Sequence, residues 1–192
     1  MLLRQHRAIV AIFCQHLQHK WQRNFGNIAI CHKFLIYADI NKVAIGERNM
    51  LQAYTTITNE LETLIKDDPV RPEIPVDRRV NANSRIYVLK EGEHTQAVTC
   101  VKFLSGVPAA VDELVDTVES ATTAVFYTIW SYAAGAGRTL IQETQRSIEA
   151  EFPGIQTYVT LSPKTEMARR FHLKNGAGIY RENSDTINYI YK

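Results

Sequence analysis

The chain has 192 residues, of which 45% are hydrophobic, and its formal net charge at pH 7 is +2. This length predicts one domain with an ordinary buried core, and so small a charge gives no strong sign of binding to nucleic acid or to a membrane. The sequence contains no internal repeat or low-complexity segment, and no stretch approaches the roughly 18 apolar residues of a membrane-spanning helix.

The first 38 residues carry an uneven charge. They contain basic side chains and no acidic one: Arg4, Arg7, Lys20, Arg23 and Lys33. Such a segment is typical of a targeting peptide, of a contact with an anionic surface, or of a basic amphipathic helix packed on the domain, and we favour the helix. The apolar run at 8–14 is short for a signal peptide, and no small-residue cleavage site follows it. We therefore expect a cytoplasmic protein, with targeting to an organelle left open.

The three cysteines, Cys14, Cys31 and Cys100, are an odd number without CxxC spacing. This pattern indicates neither a disulfide framework nor a zinc site. It favours a reducing compartment and predicts no metal centre.

The N-terminal part of the chain is predicted to be helical. Apolar residues recur at helical spacing over 47–66, and this helix is expected to end before Pro69. Three prolines in 67–77 are typical of a linker or of an extended crossing segment. The sequence thus predicts a basic helical segment at 1–66, a proline-containing linker at 67–83 and a domain at 84–192.

The remaining sequence alternates between strand and helix patterns. Strands are predicted at 84–90, 95–104, 122–130, 155–161, 177–183 and 186–192. Helices are predicted at 108–119, 137–152 and 162–176, the last with Ser162 as its N-cap and Pro163 in its first turn. This order predicts an α/β fold, of the α+β type, around a mixed and partly parallel sheet.

One loop has the composition of an anion site. The stretch "SYAAGAGRTLI" (131–141) joins a predicted strand to a helix, and residues 133–137 have almost no side chains. A ligand can therefore approach the backbone, where the helix N-terminus and Arg138 favour an anion such as a pyrophosphate. The alternative is a tight turn whose small residues serve packing. The sequence lacks a Walker motif, and the loop's position argues against a dinucleotide-binding Rossmann fingerprint.

The chain resembles the GNAT superfamily at this loop and at a later helix. Residues 132–137 match the family's Q/R-x-x-G-x-G/A motif except at its first position. The family's A-x-x-F-Y-x-x-x-G-F helix corresponds here to Ala168, Phe171, His172, Gly176 and Ala177. The resemblance implies a GNAT-like acyl-CoA-binding fold in which His172 takes the place of a tyrosine that protonates the departing thiolate. It implies these coenzyme A contacts: Tyr132, Ala133, Gly135, Ala136, Gly137, Arg138, Thr139 and Asn175.

Four further strings are similar to the catalytic domain of the malonyl-CoA decarboxylase family. They are "AVFYTIW", "EAEFPGIQTYVTLSP", "ARRFHLKNGA" and "INYIY", in that order, within residues 85–192. The resemblance implies that His172 is catalytic and has a serine of the strand motif as its partner. In this chain Thr128 replaces the first serine of that motif and Trp130 replaces the second. Thr128 or the adjacent Ser131 is therefore expected to supply the hydroxyl.

These resemblances imply an enzyme that decarboxylates a malonyl-type coenzyme A thioester, with His172 as proton donor and no metal. One alternative is transfer of an acyl group from coenzyme A to an amine, with His172 as the acid and Glu143 or Glu166 as a base acting through water. A further alternative is a non-catalytic acyl-CoA sensor, which Trp130 keeps open. In each case the expected partner is a small acyl-CoA molecule, and a homo-oligomer is left open.

Overall fold

A sheet of eight strands organises the part of the chain that the computed structural model describes, residues 49–116 and 118–192. The strands are β1 (Met50–Tyr54), β2 (Ser84–Glu91), β3 (His94–Leu104), β4 (Thr123–Ser131), β5 (Thr157–Thr160), β6 (Ser162–Pro163), β7 (Gly178–Glu182) and β8 (Thr186–Tyr191). The helices are α1 (Asn59–Ile65), α2 (Ala136–Glu151) and α3 (Glu166–Lys174), with short 3₁₀ turns at Val76–Arg78 and Val111–Glu113.

The strands follow the order β1-β2-β3-β4-β5-β8-β6, and β7 pairs with β8. Only β4 and β5 pair in parallel, and every other pair of these strands is antiparallel. This topology confirms the predicted α+β fold with a partly parallel sheet.

Apolar side chains alternate along the strands and build one hydrophobic cluster on each face of the sheet. Helix α2 covers the first cluster with Leu140, Ile141 and Ile148, which recur at the spacing of one helix face. Helix α1 covers the second cluster with Leu61 and Ile65. The predicted helix at 137–152 is thus confirmed together with its buried face.

The helix predicted over 47–66 is wrong in its first half. Residues Met50–Tyr54 form β1, which pairs antiparallel with β2. The helical spacing of apolar residues there is overridden because an edge position on the sheet satisfies the backbone and buries Tyr54. Helix α1 begins at Asn59, where the Thr58 hydroxyl accepts a hydrogen bond from the Leu61 N–H.

The helix predicted over 108–119 is also wrong, since only a 3₁₀ turn forms there, at Val111–Glu113. The carbonyl of Pro108 accepts a hydrogen bond from Asn188 Nδ2, and the carbonyl of Ala109 accepts one from Thr186 Oγ1. These long-range bonds to β8 use the carbonyls that a helix would need for its own first turn.

The helix predicted over 162–176 begins later than expected. Ser162 and Pro163 form the short strand β6 against β8 instead of a cap and a first turn. Thr165 is the N-cap, and its hydroxyl accepts a hydrogen bond from the Ala168 N–H. Ser162 and Thr165 both satisfy the N-cap preference. The cap prediction was wrong because Ser162 pairs with β8, which leaves Thr165 as the N-cap.

The proline-containing segment predicted as a linker packs through two charged side chains. Asp68 and Arg79 are 3% and 0% exposed, and Arg79 Nη1 lies 2.5 Å from Asp68 Oδ2. The division of the chain at residues 66 and 84 stays a prediction.

The basic helix predicted near the N-terminus, Cys14 and Cys31 lie outside the described residues. Within residues 49–116 and 118–192, no helix combines the length and apolar character needed to cross a membrane.

Candidate active site

A cleft opens where β4 and β5 stop pairing. Their parallel register runs from Thr123 opposite Thr157 to Phe126 opposite Thr160. Beyond Phe126, β4 continues to Ser131 with β3 on one side only. A bulge at this point leaves Tyr127 unmatched between the pairs Cys100–Thr128 and Val101–Phe126. Such bulges redirect side chains and are common beside functional sites.

The cleft contains a cavity of about 330 Å³. Its walls come from the end of β4, from residues 69 and 70, from Gly137 at the start of α2, from β6 and from α3. The lining residues with polar side chains carry hydroxyls, one indole N–H and one imidazole: Tyr127, Thr128, Trp130, Ser131, Ser162, Thr165 and His172. None of the described residues that line it carries a charged side chain at neutral pH. A ligand held there meets an apolar surface with few hydrogen-bonding groups.

His172 lies at the base of this cavity, and 4% of its surface is exposed. Its Nε2 is 2.8 Å from Ser162 Oγ, and its Nδ1 is 2.8 Å from the hydroxyl of Tyr191. The ring stacks on Tyr189 with centroids 4.6 Å apart. Burial lowers the pKa of His172 to about 4, because the charged imidazolium loses its hydration. The imidazole is therefore neutral at pH 7.

Ser162 is the cavity-lining hydroxyl residue that contacts His172, and the sequence had placed it as a helix cap and within the string "EAEFPGIQTYVTLSP", with no role in the site. Its Oγ also lies 3.0 Å from Thr160 Oγ1, and both side chains are buried. The available signal was the string "LSP", in which Ser162 stands ten residues before His172. That spacing fits a strand that leads into a helix. The helix folds back and places the His172 side chain beside the strand that carries Ser162.

Thr128, the predicted partner of His172, directs its hydroxyl elsewhere. Its Oγ1 donates a hydrogen bond to Asp68 Oδ1 at 2.7 Å. Asp68 Oδ1 also accepts from the N–H groups of Val70 and Arg71, so Thr128 helps to hold the turn that forms one wall of the cavity. The structure brings Thr128 and His172 to one cavity without a hydrogen bond between them. Ser131 lines the same cavity at the end of β4. The catalytic roles of Thr128 and Ser131 stay predictions.

Gly135 and Gly137, the two glycines of the small-residue loop, fit their positions for different structural reasons. Gly135 has φ +81°, a left-handed conformation that favours glycine, and a Cβ there would meet no atom within 4 Å. At Gly137 a Cβ would lie 3.1 Å from the ring of Phe171. Gly137 therefore allows close packing between α2 and α3, as the packing alternative predicted, whereas Gly135 faces open space.

The start of α2 keeps the features of an anion site. No side chain of the described residues caps this helix. In its first turn the N–H groups of Ala136 and Arg138 bond to the carbonyls of Ala133 and Gly135, which leaves the Gly137 N–H and the helix dipole to favour an anion. Arg138 is exposed and Thr139 is half-buried beside it, while Ala136 is buried. Ala133 packs against the core as a partly buried residue.

Tyr132 and Asn175 are held by contacts within the protein. The Tyr132 hydroxyl donates to Asp67 Oδ2 at 2.9 Å and accepts from Trp130 Nε1 at 3.1 Å. Trp130 itself lines the cavity. Asn175 ends α3, where its N–H bonds to carbonyls of the last helical turn, and it does not line the cavity. The coenzyme A contacts predicted for the loop residues and for Asn175 stay predictions.

The two carboxylates predicted as bases lie on exposed helix surfaces. Glu143 pairs with Arg146, and Glu166 pairs with Arg170. Neither lines the cavity. In the part of the chain that the structure describes, no group of three or more histidine, cysteine, aspartate or glutamate residues is placed to hold a metal ion.

The fold is similar to that of malonyl-CoA decarboxylase crystal structures. The enzyme from Agrobacterium vitis matches with a TM-score of 0.62 and 21% identity, over 75% of this chain and 60% of that one. The enzyme from Rhodopseudomonas palustris matches with a TM-score of 0.51 and 26% identity, over 88% of this chain and 41% of that one. This chain thus spans 60% or less of the length of these decarboxylases.

Acetyltransferases share the fold as well. The N-acetyltransferase PseH from Campylobacter jejuni, in complex with acetyl coenzyme A, matches with a TM-score of 0.50 and 16% identity, over 76% of this chain and 99% of that one. The fold is GNAT-like, and it is related to that of malonyl-CoA decarboxylase. No family model matches the sequence, and no curated protein matches it.

Proposed function

We propose that this protein is an enzyme that binds an acyl-CoA thioester in the cleft beside β4 and decarboxylates a malonyl-type acyl group. The observation that carries the proposal is the neutral, buried His172, which is hydrogen-bonded to Ser162 in a cavity whose described lining residues are all uncharged. The similarity of the fold to malonyl-CoA decarboxylases supports the choice of reaction. A cytoplasmic location and a reaction that needs no metal are part of the proposal.

The ligand is oriented by the two ends of the cleft. The uncapped N-terminus of α2 and Arg138 supply N–H groups and positive charge for the pyrophosphate of coenzyme A. The thioester end enters the cavity toward His172 and Ser162. Binding of a coenzyme A thioester by this fold is supported by the C. jejuni acetyltransferase, whose similar structure contains acetyl coenzyme A.

The reaction breaks the bond between the acyl α-carbon and the carboxylate. Carbon dioxide leaves, and the bonding electron pair stays on the thioester as an enolate. The enolate carbon then takes the proton of the His172 N–H, and water protonates the resulting imidazolate and leaves as hydroxide, which the released carbon dioxide can take up as bicarbonate. An enolate carbon is a stronger base than imidazolate, so a neutral imidazole can serve as the acid.

The apolar cavity favours loss of the carboxylate charge. A carboxylate moved from water into a site without a cation pays a desolvation penalty. Carbon dioxide is neutral and pays no such penalty, while the developing enolate oxygen is stabilised by hydroxyl donors such as Ser162. The absence of a charged side chain from the described lining therefore suits decarboxylation better than tight binding of the malonyl ground state.

An assay with malonyl-CoA tests the proposal. We expect carbon dioxide to be released without free thiol, and His172→Gln to lower kcat about 10²–10⁴-fold. His94→Gln is the matched control, since His94 is exposed at the turn between β2 and β3 and outside the cavity. If His172→Gln decarboxylates like the unaltered protein, His172 is not the proton donor. If malonyl-CoA gives no carbon dioxide at all, the reaction is wrong.

Acyl transfer to an amine is a second candidate, favoured by the similarity of the fold to acetyltransferases. It is distinguished by free thiol that appears only when an amine is added. The third candidate is a non-catalytic acyl-CoA sensor, in which Trp130 stands in the cavity where a catalytic serine was expected. It is distinguished by measurable binding of acyl-CoA with neither product.

A further inference from the structure

Trp130 lines the cavity near the end of β4, and the proposed reaction gives it no role. The side chain is buried, with 8% of the residue exposed. An indole has a single hydrogen-bond donor, and here Nε1 donates to the Tyr132 hydroxyl at 3.1 Å. Because that donor is used within the protein, Trp130 offers a ligand the carbon atoms of its ring and no hydrogen bond.

The position of the indole is fixed by contacts on two sides. The Tyr132 hydroxyl donates to Asp67 Oδ2 at 2.9 Å, and the Asp67 N–H bonds to the carbonyl of Leu64 in the last turn of α1. The ring itself packs in the hydrophobic cluster on the α1 face of the sheet. Moving it aside for a larger ligand would break these contacts, so the ring is a firm wall.

The cavity reaches from one face of the sheet to the other. Phe171 packs against the cluster covered by α2, and His172 stacks on Tyr189 of that same cluster. Trp130 belongs to the cluster covered by α1. All of these except Tyr189 line the cavity. The cavity therefore extends from the α2 face, where His172 lies, to the α1 face, where Trp130 lies.

This placement puts Trp130 beyond His172 for a ligand that enters from the start of α2. In the proposed function the pyrophosphate lies at that helix start and the thioester lies at His172. The acyl group continues past the thioester, so it extends toward the α1 face and the Trp130 ring. A substituent on the acyl chain then meets a wall that gives no hydrogen bond and does not move.

We propose that Trp130 determines the substrate class of this site by limiting the size of the acyl group, so that malonyl is accepted and a malonyl group with an alkyl substituent on its α-carbon is excluded. The inference rests on the proposed binding of an acyl-CoA thioester in this cleft. One methylene in a hydrophobic pocket typically changes the discrimination between substrates about 10- to 200-fold. A serine, which the resemblance implied at this position, would leave that space open.

Turnover of malonyl-CoA and ethylmalonyl-CoA tests the size limit. We expect the ratio of their kcat/KM values to favour malonyl-CoA in the unaltered protein, and Trp130→Leu to lower the ratio about 10- to 200-fold. Tyr132→Phe changes a half-exposed side chain and removes the acceptor of the indole N–H, so it should lower the ratio at most about tenfold.

Phe152→Ala is the matched control for loosened packing, because Phe152 is a partly buried aromatic residue outside the cavity. We expect it to keep the ratio of the unaltered protein. An unchanged ratio in Trp130→Leu overturns the proposal. Where that variant does not fold, an unchanged ratio in Tyr132→Phe overturns it instead.

Binding measurements separate the size limit from the proposed reaction. We expect calorimetric titration to show that the unaltered protein binds acetyl-CoA more tightly than hexanoyl-CoA, and that Trp130→Leu loses most of this preference. That result without carbon dioxide from malonyl-CoA overturns only the proposed decarboxylation. Release of carbon dioxide with the same preference in both proteins overturns only the size limit. Failure to bind either thioester overturns both.

Discussion

Two polar clusters border the cavity, and they differ in charge. On the face covered by α1, Asp68 and Arg79 form a buried ion pair, and Asp68 also accepts hydrogen bonds from Thr128 and two backbone N–H groups. On the face covered by α2, the chain from Tyr191 through His172 to Ser162 is neutral. The charged cluster holds the segment after α1 on the sheet, and in the proposed function the neutral cluster presents an acid to the cavity. The contrast separates stability from chemistry, and four substitutions test it.

Asp68→Ala is expected to have the largest effect on stability. It leaves the Arg79 guanidinium buried without its carboxylate, and breaking a buried pair in this way costs about 3–5 kcal/mol. The free energy of unfolding measured in urea checks this value. Glu60→Gln is the control, because the pair of Glu60 with Lys90 is partly exposed and is worth at most about 1 kcal/mol. Equal losses in the two variants would contradict the structural role of the charged cluster.

The neutral cluster predicts a pH dependence of stability with a definite sign. His172 has a pKa of about 4 when folded and about 6.5 when unfolded, so the unfolded chain binds more protons between these values. Stability therefore falls as the pH falls from about 6.5 to 4, by about 3 kcal/mol from this residue, and it is unaffected by this residue above that window.

His172→Gln is expected to remove this contribution. Unfolding free energies at pH 7 and pH 4.5 should differ less in the variant than in the unaltered protein, with His94→Gln behaving as the unaltered protein does. A variant that keeps the full pH slope would place the titrating group elsewhere.

Thr128→Val is expected to act on the charged cluster. It removes the hydroxyl that donates to Asp68 while keeping the shape of the side chain, and it should lower the unfolding free energy by about 1–2 kcal/mol. Thr128→Ser keeps the donor and should lose less. Thermal or urea unfolding distinguishes the pair, and equal stability of the two variants would mean that this hydrogen bond contributes nothing measurable.

Ser162→Ala is expected to have the smallest effect on stability, about 1 kcal/mol, because the bonds it breaks are between neutral groups. Its effect on turnover should exceed that of Thr128→Val, which also removes a hydroxyl, since Ser162 touches the imidazole and Thr128 does not. Side-by-side kcat values for malonyl-CoA check this ranking. The reverse order would restore Thr128 as the hydroxyl partner of His172.

Local sequence signals predicted most of the sheet and the position of His172. Strands β2 to β5 and β8 and helix α2 follow their apolar patterns, because those segments bury the faces that the patterns mark, whereas all five residues of the predicted strand β7 are exposed. The errors occur where contacts distant in sequence decide. The carbonyls of Pro108 and Ala109 are held by side chains of β8, and β6 forms by pairing with the same strand.

The composition of the site was harder to predict than its location. Thr128 bonds to Asp68, which is 60 residues away in sequence, so its hydroxyl partner could not be deduced from the strand motif. Ser162 has the residue type and position of a helix cap as well as of a site residue. Only the placement of β6 beside α3 distinguishes the two.

The contact between Gly137 and Phe171 has a consequence for the width of the cleft. A Cβ at position 137 would lie 3.1 Å from the Phe171 ring. Helices α2 and α3 can therefore pack closely only because Gly137 has a hydrogen atom in place of a side chain. Phe171 adjoins His172 on α3. The width of the cleft between the start of α2 and Phe171 is thus set by the missing side chain at position 137, and a methyl group there would have to displace the Phe171 ring.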